Sequence, residues 1–179
     1  DAMVKADPYK GDKNKIFEIG SPFIDSIFNN DIKPAILQDY ILLATDFHAF
    51  IDPSGLTVEF TKTYELMITK VYEIASKHNK KLVIKSHPQK SGYDEEIAKQ
   101  IDPTITVIKS GSIGPLIKSS SLVIVTDVST VILEAHAMKK PVVSILLRDY
   151  CDTPEFVKST LCDNVNIDKL DEWVTNVLN

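Results

Sequence analysis

Cysteine is nearly absent from this chain of 179 residues: Cys151 and Cys162 are the two present, outside any CxxC pair or histidine cluster. Neither a zinc site nor a disulfide framework is indicated, and reduced thiols are the expectation. Glycine is scarce too, at six residues. No GxGxxG and no GxxxxGKS/T run occurs, which removes most of the support for ordinary NAD binding and for P-loop ATP hydrolysis. No DxD-like carboxylate pair for a metal ion stands out, so no metal is expected. Apolar runs are short; none approaches the ~20 residues that cross a bilayer. The start, DAMVKADPYK, is too polar for a signal peptide, so the expectation is a soluble, cytoplasmic chain. Its first residue is Asp rather than Met, which points to a trimmed or excised chain. Positive charge is in deficit: 20 Lys and Arg against 25 Asp and Glu leave a net charge of -5. Without a basic block, nucleic acid is not an expected partner. The local excess at Lys80, Lys81, Lys85 and Lys90 fits a solvated edge.

Apolar residues, by contrast, are plentiful, at 44%. That is enough for one well-buried α/β core at this length, and too little chain for two. From about residue 40 onward, short apolar runs alternate with longer amphipathic ones. Strands are expected at YILLAT (40–45), KLVIKS (81–86), ITVIK (105–109), SLVIVT (121–126), PVVSIL (141–146) and NVNI (164–167). Nearly continuous apolar runs are the mark of strands buried on both faces. Helices are expected over 58–78, 94–100, 113–119, 129–139, 154–161 and 168–178. In the longest, Phe60, Tyr64, Met67, Val71, Ile74 and Ala75 fall close to helical spacing and define one apolar face.

Strands alternating with helices predict a Rossmann-like α/β domain over 39–179, a doubly wound parallel sheet of about six strands in the order 3-2-1-4-5-6. Residues 1–38 do not fit the alternation. They read as a short strand (16–19), a Gly-Ser-Pro turn, a short helix with Pro22 in its first turn, and a linker, NNDIKP, together an amino-terminal extension.

In such a sheet, ligands bind beyond the carboxyl ends of the strands, where the strand order reverses. Three polar stretches follow strands there: TDFHAF, SHPQKSG and TDVST. Asp127, Ser129 and Thr130 open a helix. Unpaired amides and a partial positive charge at a helix start attract phosphate, and hydroxyls add hydrogen bonds. The same residues are also preferred helix caps. Glu134 lies one turn further on, about 6 Å along the axis, suited to a ribose diol or simply to the helix dipole. His87 is held extended by Pro88 at the end of its strand, as a phosphate contact or as a turn residue. His48, in the loop after the first strand, is a further candidate; His78 ends a helix and His136 is expected on a packed face. Gly111, Ser112 and Ile113 form a Gly-Ser loop fit for a nucleobase or for a plain turn.

The segments VIKSHPQ and SLVIVTDVSTVILEAHAMKKPVV, in this order and spacing, resemble the carboxyl-terminal, donor-binding half of GT-B glycosyltransferases. The likeness covers residues 16–149 and is strongest over 122–143. It is similar to CDP-glycerol glycerophosphotransferases and to UDP-N-acetylglucosamine 2-epimerases. The resemblance implies that His87, Ser129 and Thr130 bind the donor phosphate, that Glu134 binds the ribose, and that residues 111–113 lie near the base. Gly20 to Pro22 would form an interdomain hinge. Val128 and Ser129 stand where the epimerases have a serine-glycine-glycine run, which disfavours epimerase chemistry. CDP-glycerol enzymes usually carry an aromatic at the place of Val128.

The function so implied is nucleotide-donor binding in a glycosyltransferase or glycerophosphotransferase of surface polysaccharide synthesis. The substrate would be a CDP-, CMP- or UDP-linked donor, with no separate cofactor. The partner would be a missing amino-terminal GT-B domain, without which the chain is expected to transfer little or nothing. By family analogy, the full protein would associate peripherally with the inner membrane surface. A UDP-sugar epimerase-like domain and a non-enzymatic Rossmann-like regulatory module are the alternatives.

Overall fold

The computed structural model describes residues 22–29, 32–35, 39–45, 57–87, 93–126, 129–147 and 162–179. The expected strand at 16–19, the expected helix at 154–161, most of the hinge candidate (Gly20 and Ser21), and His48, Pro88, Lys90, Asp127, Val128 and Cys151 lie outside them.

Six strands form one sheet: β1 (Tyr40–Ala44), β2 (Lys81–Lys85), β3 (Thr106–Ile108), β4 (Leu122–Thr126), β5 (Val142–Ile145) and β6 (Asp163–Val165). Their order is β3-β2-β1-β4-β5-β6 and every neighbouring pair is parallel, as the alternation predicts. The helices are α1 (Pro22–Asn29), α2 (Thr57–Lys77), α3 (Tyr93–Ile101), α4 (Gly114–Ser119), α5 (Val131–Ala137) and α6 (Leu170–Leu178), the last preceded by a 3-10 turn at Ile167–Lys169.

The sheet is covered on both faces, which is why its central strands carry almost no polar residues. On one face Ile41, Leu43, Leu82, Ile84 and Ile124 meet Tyr64, Met67, Val71 and Ile74 of α2, Ile97 of α3, and Leu170 and Val174 of α6. On the other, Tyr40, Leu42, Val83, Val123 and Val125 meet Leu116 and Ile117 of α4 and Ile132 and Ala135 of α5. Alternate residues of one strand thus enter different cores, as a period of two requires. Tyr40 is fully buried, and its hydroxyl donates to the Leu116 carbonyl at 2.6 Å.

Two helices stop in the same way. After α2, Asn79 adopts φ 55°, the Lys80 amide donates to Ala75 O at 2.8 Å, and the Asn79 amide donates to Ser76 O at 3.0 Å. After α5, Lys139 at φ 55° does the same, with Lys140 N to Ala135 O at 2.9 Å and Lys139 N to His136 O at 2.9 Å. Both are Schellman caps with a left-handed residue where glycine is usual. They turn the chain sharply back into β2 and β5. Pro141, two residues beyond the second left-handed position, cannot continue a helix.

Helix α1 begins at Pro22 and packs against α5. The stretch expected to run as a linker is fastened along α4 at residues 32–35. Ala35 N donates to Pro115 O at 3.1 Å, Ser119 Oγ to Ala35 O at 3.2 Å, and Lys118 Nζ to Ile32 O at 2.5 Å. A Cβ at Gly114 would stand 3.4 Å from Ile32 Cδ1, an ordinary contact distance, so the strap lies directly over the start of α4.

Candidate functional site

The carboxyl ends of β1 and β2, the loop after β3 and the start of α5 enclose a cleft of ≈ 390 Å³. It is lined by Ala44 and Thr45, by Lys85, Ser86 and His87, by Gly111 and Ile113, and by Ser129, Thr130 and Val131. Strand order reverses between β1 and β4, so the cleft sits at the switch point. Among the described residues, its polar side chains are hydroxyls, an imidazole and an ammonium, with no carboxylate.

Two of its walls extend the parallel ladder by one step past the strands: Thr45 N donates to Lys85 O at 3.1 Å, and Ser86 N to Ile108 O at 3.0 Å. Beneath Thr45 lies a buried network. Asp94, 1% exposed in the first turn of α3, accepts from Thr45 Oγ1 at 2.8 Å and from Tyr64 OH at 2.6 Å. The Tyr64 ring in turn stacks on Tyr93 at a 6.2 Å centroid separation. The carboxylate therefore fixes the rotamer of a side chain at the cleft wall.

The start of α5 is already partly satisfied. Ser129 Oγ accepts from Val131 N at 3.3 Å, Ile132 N donates to Ser129 O at 3.2 Å, and Leu133 N donates to Thr130 O at 3.0 Å. Ser129 thus acts in part as a cap, and the expectation of unpaired amides does not hold for Val131, Ile132 and Leu133. Thr130 is exposed at the mouth and makes no side-chain cap bond. The loop after β3 contributes Gly111, whose φ of 85° disfavours any residue with a Cβ, although nothing lies within 4 Å of where that atom would be. Ser112 is exposed, lies outside the cleft lining and accepts weakly from Gly114 N at 3.4 Å.

Of the residues singled out in the sequence, His87, Ser129, Thr130, Gly111 and Ile113 are brought together; Ser112 and Glu134 are not. Glu134 is 9% exposed, and burial pushes its carboxyl above the usual range. Asp127 and His48 lie outside the described residues. His136 is exposed rather than packed: Ile132 and Ala135 take the inward face of α5 and leave it to solvent. His78 shares a hydrogen bond of 3.3 Å with Thr175 Oγ1 of α6 and is not part of the cleft lining.

Lys85, Thr45 and Ser86 belong to the site but were not among the sequence candidates. Lys85 was grouped with Lys80 and Lys81, yet strand β2 separates them by about 13 Å, four residues at ~3.3 Å each. Lys81 is exposed at the amino end of β2, and Lys80 pairs with Asp39; Lys85 is 5% exposed at the carboxyl end. The signal that could have found it is a lysine at the carboxyl end of an apolar strand, the end where this fold binds ligands. Among the described residues, no three His, Cys, Asp or Glu side chains gather to hold a metal ion, and no helix is long and apolar enough to cross a membrane.

No family model matches the chain, and no curated protein matches its sequence. Solved structures match its fold. The UDP-GlcNAc 2-epimerase of Methanocaldococcus jannaschii, solved with UDP-GlcNAc and UDP, gives a TM-score of 0.58 at 21% identity, over 94% of this chain and 49% of that one. The E. coli heptosyltransferase WaaC, solved with ADP-2-deoxy-2-fluoro heptose, gives 0.50 at 11% identity, over 97% of this chain and 52% of that one. The glycosyltransferase SnogD from Streptomyces nogalater gives 0.50 at 14% identity, over 83% and 40%. The chain spans about half or less of each. What it shares with them is the fold: one Rossmann-like half of the two-domain GT-B architecture.

Proposed function

We propose that this chain is the donor nucleotide-binding domain of a glycosyltransferase or glycerophosphotransferase that builds surface polysaccharide, with the donor phosphate held in the cleft. The observation that carries the reading is a cleft at the switch point whose polar side chains, among the described residues, can donate hydrogen bonds and include no carboxylate. Such a lining favours an anion over a cation. A structure of similar fold was solved with UDP-GlcNAc and UDP, which supports a nucleotide-linked donor.

Hydroxyls of Ser129 and Thr130 and the imidazole of His87 would stabilise the negative charge that grows on the departing nucleotide as the donor bond breaks. Gly111, whose backbone is open to the cleft, would let a base approach closely. A second GT-B half, placed opposite this cleft in the full protein, would bring the acceptor. Glu134 would reach a ribose only by turning from its buried position toward the mouth.

Titration calorimetry of the chain with CMP, CDP, UDP and UDP-N-acetylglucosamine tests this. Binding of at least one nucleotide is expected, weakened by about 1–3 kcal/mol in His87→Ala or Ser129→Ala, as for loss of a charge-assisted hydrogen bond. No binding by any of the four at millimolar concentration overturns it. The epimerase-like alternative has in its favour the 0.58 TM-score to a UDP-GlcNAc 2-epimerase, and it predicts UDP preferred over both cytidine nucleotides. Nucleotide binding indifferent to both substitutions would instead favour a regulatory module.

A further inference from the structure

A lysine inside a sheet is costly unless something compensates it, because an ammonium moved out of water loses its hydration. Lys85 is such a residue, 5% exposed at the carboxyl end of β2. Its Nζ donates to Ser86 O at 2.9 Å and, at a long 3.4 Å, to Lys109 O. Those carbonyls orient the ammonium but do not neutralise it. Among the described residues no carboxylate pairs with it, although Lys70, Lys77, Lys80, Lys99, Lys109 and Lys169 each have one. Burial alone depresses its pKa.

The side chain lines the cleft together with Ser129 and Thr130. In phase with Val83, it projects to the sheet face that α4 and α5 cover. An ammonium has three donors, and two carbonyls leave one unused. The amides of Val131, Ile132 and Leu133 at the start of α5 already have partners, so these three do not offer an anion a free donor.

We infer that Lys85 is the anion anchor of the cleft, a fixed, preoriented cation whose missing counter-charge is the phosphate of the ligand. The inference rests on the reading of the cleft as a phosphate site and adds the residue that supplies its positive charge. A bound phosphate would give this ammonium the anionic partner that no carboxylate among the described residues supplies.

The test compares the wild-type chain with Lys85→Met and Lys85→Arg, using inorganic pyrophosphate, UDP and uridine as probes in calorimetry and thermal unfolding. Pyrophosphate should stabilise wild type and Lys85→Arg but not Lys85→Met. UDP should bind Lys85→Met roughly 10–100-fold more weakly than wild type, the loss of one charge-assisted contact, while uridine is unaffected. Without ligand, Lys85→Met should unfold at a temperature equal to or above that of wild type, because an uncompensated buried charge has been replaced by an apolar chain of similar length. A lysine with a purely structural role would give a lower one. Should Lys85→Met fail to fold, the Lys85 side-chain 13Cε resonance of the wild-type chain, assigned through Lys85→Arg, should shift on adding pyrophosphate.

UDP and pyrophosphate binding Lys85→Met as tightly as wild type, or a resonance that stays still, overturns the inference and leaves the nucleotide reading standing. Pyrophosphate binding that depends on Lys85, with no nucleotide bound, does the reverse. A wild-type chain that binds neither overturns both.

Discussion

Replacing Thr45 by Val, or Tyr64 by Phe, removes one hydroxyl donor from Asp94 while leaving the shape of the site almost unchanged. Asp94 is 1% exposed and accepts at 2.8 Å from Thr45 and at 2.6 Å from Tyr64, so water cannot readily replace either donor. Stranding a buried acceptor costs about 1–3 kcal/mol, and the stack of residue 64 on Tyr93 survives the change to Phe. Each single variant should therefore lose about 1–3 kcal/mol. That corresponds to a fall in melting temperature of ~2–4 °C for each kcal/mol at this chain length. Because both donors serve one carboxylate, the double variant should depart from additivity by about 0.5–3 kcal/mol. Adding Asp94→Leu to the pair should restore stability, since an apolar trio leaves no orphaned group. Urea unfolding at neutral pH, analysed for midpoint shifts at constant slope, measures all four. Single variants within ~0.5 kcal/mol of wild type, or a triple variant as costly as the sum of its parts, would refute the idea that this carboxylate organises the wall of the cleft.

Lys139 holds a left-handed φ of 55° at the end of α5, a conformation in which a Cβ is crowded, so Lys139→Gly should gain about 0.5–1 kcal/mol in the same unfolding experiment. A loss would mean that the lysine side chain contributes more than its backbone strain. Lys109 and then Lys99 hold the Glu95 carboxyl down from 4.5 to about 2. With the folded pKa below the unfolded one, these ion pairs stabilise fully above the unfolded pKa and fade as pH falls from 4.5 toward 2. Glu95→Gln should flatten that part of the acid limb in a pH series of urea midpoints; an unchanged limb would show that the exposed pairs contribute nothing measurable.

The amino-acid sequence alone determined the architecture, because burial on both faces forces strands to be continuous apolar runs, and helices between them force parallel pairing. YILLAT, KLVIKS and SLVIVT mark β1, β2 and β4 to within a residue at each end. His87, Ser129 and Thr130 were legible as neighbours because chain position relative to strand ends, in a fold of known order, is already a coordinate.

Tertiary structure alone decided what each polar group faces. Lys81 and Lys85 differ by four positions on one strand, yet one end of β2 meets solvent and the other the cleft. Thr45 lies 49 residues from Asp94, and no local pattern pairs a strand-end hydroxyl with the first turn of a helix three elements later. Glu134 and His136 stand two apart on α5, one buried and one exposed, according to what α5 packs against. Periodicity fixes which residues share a face, whereas burial and charge compensation depend on what the rest of the chain lays against that face.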